Sequence, residues 1–187
     1  MPEEKSSAIV HAIEAANPFD PRSLPIEPIG AKHVRDAFDC GEPKLNEYLR
    51  RYARQNHDNG IAKAFVVADG NKRVIGYYTL SSADVEFENL PGDQKKHIPR
   101  YPIPAMRIGR FAVDTSVQRC GLGERLLIDA LRRVMWISEQ AGVRLILVDA
   151  KDEKAKQFYI RYGFLEFPDH PMNLFLPIDT AKQLLQR

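Results

Sequence analysis

At 187 residues and a formal net charge of +2, the chain is long enough to bury one core without disulfides or metal, and too near neutral for nucleic-acid binding to be argued from bulk charge. Cys40 and Cys120 are too far apart in sequence to suggest a disulfide framework or a zinc site, so no metal is expected and a reducing compartment is. No apolar run reaches the roughly 20 residues of a membrane span, and Glu3, Glu4 and Lys5 do not open a signal peptide; the expectation is a cytoplasmic protein without membrane attachment.

Residues 1–24 read as an extension and linker. Ala8, Ile9, Val10 and Ile13 form a short helical period ended by Asn17-Pro18, Pro21 and Pro25. One domain over 25–187 follows. Val34 and Phe38, then Leu45, Tyr48 and Leu49, recur at spacings of three and four around Cys40-Gly41-Glu42-Pro43, which predicts two short helices across 31–57. The second carries Lys44, Arg50, Arg51 and Arg54, a solvated face or a set of phosphate contacts. Ala64–Ala68 and Val74–Leu80 read as an antiparallel hairpin about Asp69-Gly70-Asn71-Lys72. The polar stretch 86–104, with Lys95, Lys96, His97 and Arg100, reads as a long loop, and such loops are often functional.

Met106–Asp114 predicts the central strand, with Gly109 marking a bulge or kink. Leu122, Leu126, Leu127, Ala130, Leu131, Val134 and Ile137 then share one helical face, with Glu124, Arg125, Asp129, Arg132 and Arg133 largely on the other and Gly142 closing the helix. Leu145–Val148 is a continuous apolar run, as in a parallel strand buried on both sides. Strand, glycine loop, helix and parallel strand make a βαβ unit with the loop at its carboxyl edge. Asp152 is placed to cap a helix that Gly163 ends. Phe164–Phe167 and Leu174–Leu176 read as a last pair of strands before a short tail helix. The fold class is α/β with a mixed sheet.

The loop Gln118-Arg119-Cys120-Gly121-Leu122-Gly123 is an anion site by construction: glycines admit close backbone approach, and the unpaired amides of a helix start point outward. Its glycine spacing matches neither the P-loop nor the dinucleotide fingerprint. Backbone groups near Phe111, Ala112 and Val113 are free to pair with an extended amide ligand wherever the flanking parallel strands part. Tyr159, one helical turn after the small Ala155, is protonated at neutral pH and so able to serve as a general acid; the competing reading is a core tyrosine, with Tyr162 and Phe158 open to the same description.

With both motifs in order, residues 26–178 resemble the GNAT superfamily of N-acetyltransferases, whose fold is a mixed sheet splayed between two parallel strands with helices on both faces. Arg110-Phe111-Ala112-Val113-Asp114, Val148-Asp149-Ala150-Lys151-Asp152-Glu153, Phe158-Tyr159 with Tyr162-Gly163-Phe164, Leu174-Phe175-Leu176-Pro177, Phe38-x-Cys40-Gly41 and Gly76-Tyr77-Tyr78-x-Leu80 look like the GNAT toxins of bacterial type II toxin–antitoxin modules. That resemblance implies an acetyl-CoA-dependent enzyme that acetylates the α-amino group of aminoacyl-tRNA and blocks translation. It implies Tyr159 as the catalytic tyrosine, Gln118–Gly123 as the pyrophosphate loop, and Phe111, Ala112, Val113, Asp152 and Phe158 along the cofactor. Asp152 stands where most other GNAT enzymes carry asparagine, which favours the toxin branch. Arg119 and Cys120 depart from the glycine and basic or polar residue usual in toxin loops, which leaves the Arg119 phosphate contact open.

For an RNA acceptor, phosphate contacts would come from Lys44, Arg50, Arg51, Arg54, Lys95, Lys96, Arg100 and Arg161. The implied partners are aminoacyl-tRNA and a ribbon-helix-helix antitoxin whose tail covers the active site; the oligomeric state is left open, a homodimer included. Two alternatives stand beside this reading. One is a protein N-terminal or small-amine acetyltransferase with an acidic or peptide-shaped groove, and the other a module that binds acyl-CoA without turnover.

Overall fold

The computed structural model describes residues 20–96 and 100–186; the helical piece expected around Ala8–Ile13, and His97 of the long loop, lie outside the described residues. Among the described residues seven strands form one sheet in the order β1-β2-β3-β4-β5-β7-β6. They are β1 (Ile26–Pro28), β2 (Lys63–Ala68), β3 (Val74–Val85), β4 (Ile103–Val113), β5 (Leu145–Asp149), β6 (Leu165–Phe167) and β7 (His170–Pro177). Helix α1 (Pro43–Glu47) passes through a π-helical turn (Tyr48–Tyr52) into α2 (Ala53–Asp58), and α3 (Leu122–Ser138), α4 (Glu153–Arg161) and α5 (Ile178–Leu185) follow. Every neighbouring pair is antiparallel except β4 with β5, and α3 supplies the crossover that a parallel pair needs.

Strand alternation deals the side chains to two faces. On one, Val67, Ile75, Tyr78, Ile108, Ile146 and Val148 pack against Leu122, Leu126, Leu127 and Leu131 of α3, with Tyr159 and Ala181 from α4 and α5. Gly76 lets α3 settle this closely, since a Cβ there would lie 3.0 Å from Leu126 Cδ1 and 3.3 Å from Leu122 Cδ2. On the other face Val66, Val74, Tyr77 and Ala112 pack against Phe38, Leu49 and Ala53, while Ala105, Leu145, Leu147 and Phe175 lie with Val85 and Leu90 beneath the long loop. The fold is the expected mixed α/β sheet with helices on both faces.

Three local expectations are corrected. Residues 31–40 form no helix: Val34 bridges to Arg73, its N–H donating to the Lys72 carbonyl at 2.8 Å and its carbonyl accepting from Val74 at 2.9 Å, while Phe38 is fully buried. Two separate tertiary contacts had mimicked one helical period. Strand β3 runs to Val85 and β4 starts at Ile103, both longer than predicted, because Ser81–Val85 pair with Ile103–Arg107. Asp129 and Arg133 of α3 are not simply solvated. The Tyr78 hydroxyl donates to Asp129, Arg133 Nε lies 2.8 Å from Asp129 Oδ2, and the guanidinium sits 4.0 Å from the Phe65 ring centroid.

Candidate active site

Strand β4 leaves β5 part way along its length. The two pair from Ala105 with Leu145 to Ile108 with Val148 and no further, although β4 continues to Val113. The cause lies on the opposite edge of β4, where Tyr78 pairs with Phe111 and Leu80 with Ile108, so β4 carries one residue too many at Gly109-Arg110. This is the bulge that Gly109 predicted. Thr79 Oγ1 repairs the ladder by accepting the Arg110 N–H at 2.9 Å. A bulge bends its strand, and β5, held to β7 through Asp149 and Asn173, does not follow. The N–H groups of Arg110 and Asp114 both point toward β3, the latter to the Ile75 carbonyl at 2.9 Å. Alternation therefore turns the N–H groups of Phe111 and Val113 into the gap.

The loop beyond β4 is built on Asp114, a carboxylate 2 % exposed. It accepts from Asp39 N–H (3.0 Å), Ser116 N–H (3.0 Å), Ser116 Oγ (2.6 Å) and Arg73 Nη2 (3.3 Å). Burial acts to raise its pKa, but these hydrogen bonds and the Arg73 charge outweigh burial and hold it below the usual carboxylate value. Gln118 is a brace: its Nε2 donates to the Val113 carbonyl at 3.0 Å and the Cys40 carbonyl at 3.2 Å, tying the loop to the segment before α1. Arg119 (φ 64°) and Gly121 (φ 85°) are both left-handed. Gly121 caps α3 without a side-chain hydrogen bond. The first helical bond runs from Arg125 N–H to its carbonyl at 3.1 Å, so the amides of Leu122, Gly123 and Glu124 have no partner within the helix and form an anion site. Cys120 Sγ donates to the Val117 carbonyl at 2.7 Å, which occupies the thiol locally.

Helix α4 carries the opposite wall. Asp152 caps it as expected, its Oδ1 accepting the Ala155 N–H at 2.7 Å. The rings of Phe158 and Tyr159 lie 6.0 and 6.1 Å from Phe111, whose strand borders the gap. Tyr159 is 5 % exposed; burial first, then the charge of Asp149, pushes its phenol well above the ordinary value. The fully buried unpaired polar atoms among the described residues are Arg73 Nε and Arg125 Nη1. The Tyr159 hydroxyl is neither among them nor hydrogen-bonded to a described residue. The raised phenol is therefore neutral at physiological pH, and its ring packs against the strand that leaves β5.

The structure thus brings Phe111, Val113, the Gln118–Gly123 loop, Phe158 and Tyr159 to one place. Ala112 is in the same stretch but points into the core on the other face. Arg22, which nothing in its sequence context singles out, packs beside the loop: a Cβ on Gly121 would lie 3.3 Å from Arg22 Cδ. The basic residues divide. Lys44, Arg50, Arg51 and Arg54 on α1 to α2, and Lys95, Lys96 and Arg100 in the long loop, belong to the elements covering one sheet face. Arg161 is on α4 over the other face, 5.8 Å from the Phe158 ring, and does not join them. Several are already engaged: Arg50 Nη2 donates to the Phe38 carbonyl at 2.7 Å, Arg51 lies 3.4 Å from Glu47 and Arg54 3.5 Å from Asp58, and Lys95 donates to the Glu88 carbonyl at 2.9 Å. Arg107 pairs with Asp149 at the base of the gap. Among the described residues there is no group of three or more His, Cys, Asp or Glu placed to hold a metal ion, and no helix is long and apolar enough to cross a membrane.

A parted parallel pair, bare amides at the following helix start and a phenol opposite are the working parts of an acetyl-CoA-dependent N-acetyltransferase, and a family profile described as an acetyltransferase (GNAT) domain matches residues 61–166. The chain belongs to the GNAT acetyltransferase family. It is 38 % identical over 150 residues to the tRNA-acetylating toxin of Mycobacterium tuberculosis, covering 80 % of this chain and 89 % of the relative. The solved structure of AtaT complexed with acetyl-methionyl-tRNAfMet superposes with a TM-score of 0.81 at 33 % identity, covering 87 % of this chain and 99 % of that one. A mutant AtaT toxin bound to the C-terminus of the antitoxin AtaR and acetyl-CoA superposes with a TM-score of 0.74 at 29 % identity, covering 88 % and 99 %.

Proposed function

We propose that this chain is the toxin of a bacterial toxin–antitoxin pair and transfers acetyl from acetyl-CoA to the α-amino group of aminoacyl-tRNA, blocking translation. The observation that carries the reading is the stretch of β4 beyond Ile108 that has no partner on β5, leading to unpaired amides at the head of α3 with Tyr159 opposite. The pyrophosphate of acetyl-CoA rests on the amides of Leu122, Gly123 and Glu124, with Arg119 beside them and Gln118 bracing the loop. The pantetheine arm adds to β4 through the Phe111 and Val113 backbone, past Ala112 and against Phe158. Asp152 acts by fixing the start of α4.

The acceptor amine attacks the thioester carbonyl carbon directly in a ternary complex. The C–N bond forms, the C–S bond breaks, the thiolate takes the Tyr159 proton, and the phenolate is reprotonated by the proton the amine sheds. A backbone N–H facing the gap steadies the carbonyl oxygen. No protein base is needed, since an α-amine titrates near 7.7 to 8.0 and lower beside an ester. Lys44, Arg50, Arg51, Arg54, Lys95, Lys96 and Arg100 supply phosphate contacts from one face, and Arg161 from the other. The catalytic domain is 25–187, with 1–24 as an extension; the setting is the cytoplasm. The inhibitor is a ribbon-helix-helix antitoxin, and a homodimer is one assembly open to the chain.

The test is incubation with labelled acetyl-CoA and a pool of charged tRNAs. Label on the aminoacyl end, released with the amino acid on ester hydrolysis, is the expected result. Label confined to protein N-termini or small amines favours the other acetyltransferase reading, and acetyl-CoA binding without any transfer favours the binding module.

A further inference from the structure

Two departures from regular geometry meet beside the gap. The π-helical turn of Tyr48–Tyr52 sets the rings of Tyr48 and Tyr52 with centroids 6.5 Å apart at 43°. The β4 bulge turns Arg110 over Tyr48, its guanidinium carbon 5.0 Å from the ring centroid. The base of this group is fixed. Tyr48 stacks on buried Tyr77 at 6.4 Å and 12°, the Tyr77 hydroxyl donates to the Leu45 carbonyl at 2.8 Å, and Asn56 Nδ2 reaches the Tyr48 hydroxyl at 3.3 Å. Its top is open: Tyr52 is 46 % exposed and Arg110 is exposed. An irregular helical turn and a bulge each recur at functional sites, and together they hold two rings and a guanidinium in one surface.

We propose that Tyr48, Tyr52 and Arg110 form a stacking platform for the unpaired 3′-terminal base of the charged tRNA. This rests on the aminoacyl-tRNA reading above. Tyr159 lies in the core on the α3 and α4 side of the sheet with Phe158 packed against it, so in the proposal the amine comes in from the α1 and α2 side, where Arg110 immediately precedes Phe111. In a charged tRNA only an ester and a ribose separate the α-amine from the terminal base, so that base comes to rest close to the mouth of the gap. Unpaired bases are held on aromatic rings and guanidinium planes, which accept any base by its π-face. Arg50 and Arg51 belong to the same helical turn, with Arg50 held on the Phe38 carbonyl and Arg51 beside Glu47.

The test uses the full chain with Tyr52→Ala, Tyr52→Phe and Arg110→Ala, and a tRNA whose terminal adenine is replaced by 2-aminopurine. Wild type and Tyr52→Phe quench the 2-aminopurine fluorescence by stacking, and Tyr52→Ala and Arg110→Ala do not. The KM for charged tRNA rises about tenfold in the two alanine variants and stays within about twofold of wild type in Tyr52→Phe. Undiminished quenching and unchanged KM in both alanine variants overturn the platform. So does a Tyr52→Ala chain whose tRNA kinetics are intact while its inhibition by the antitoxin weakens, which marks a protein-docking surface instead. A wild-type chain that fails to acetylate any charged tRNA overturns the aminoacyl-tRNA reading itself, and the platform with it.

Discussion

Phe111 and Tyr159 stand edge to face across the place where β4 and β5 part, their ring centroids 6.1 Å apart and their planes at 71°. Phe111 belongs to the strand that the bulge bends away, and Tyr159 to the helix that Asp152 caps. An edge-to-face pair is a stable arrangement, and here it fixes the distance between the strand proposed to bind the thioester and the phenol proposed to protonate it. One contact thus spaces the two elements on which the proposal places cofactor and acid.

Gly76 links the packing of α3 to the anion loop. A methyl group there meets Leu126 and Leu122 at 3.0 and 3.3 Å, and Leu122 is the first residue of α3. Gly76→Ala is expected to lower stability by about 1–3 kcal/mol and to raise the KM for acetyl-CoA, because the helix start that carries the free amides is displaced. Denaturant melts and initial rates on one preparation check both.

Asp114 ties three segments together and titrates below its usual range when folded. Its hydrogen bonds therefore stabilise the fold above the unfolded carboxylate value of about 3.9, and that contribution is lost as pH falls through the lower folded value. Asp114→Ala is expected to cost about 3 kcal/mol at neutral pH, through the donors of Asp39, Ser116 and Arg73 left unpaired. The difference in Tm between wild type and variant narrows toward low pH.

The rate profile against pH has a predictable shape. The Tyr159 phenol is raised by burial and by Asp149, so it keeps its proton past its ordinary value near 10. The kcat/KM for an aminoacyl acceptor rises as the amine loses its proton below about pH 8 and then levels, without an alkaline fall up to pH 9. A bell closing near neutrality would mean that another group supplies the proton.

What could be read from residues alone was what local chemistry dictates. The glycine loop, the Asp152 cap, the Gly109 bulge and the parallel run Leu145–Val148 each carry their reason in their own sequence. The rest depended on partners distant in the chain. Val34 shares a spacing with Phe38 but is claimed by Arg73, and Ser81–Val85 become strand only because Ile103–Arg107 lie beside them. Gln118 also braces the loop, its Nε2 donating to the Cys40 carbonyl at 3.2 Å, a contact its own sequence does not show. Arg22 carries no motif at all, and the motif that holds Arg110 says nothing of its contact with Tyr48. Arg110 acquires its place from one extra residue in β4, which fixes the turn of its side chain over Tyr48.

The central claim is that Tyr159 delivers the proton to the leaving thiolate across the gap. The measurement closest to it is Tyr159→Phe, a change that keeps the ring and its packing and removes only the hydroxyl, with kcat toward charged tRNA and the Kd for acetyl-CoA measured together. The account predicts that kcat falls by about 10²-fold or more while the Kd stays within about twofold. A kcat within about threefold of wild type would contradict it.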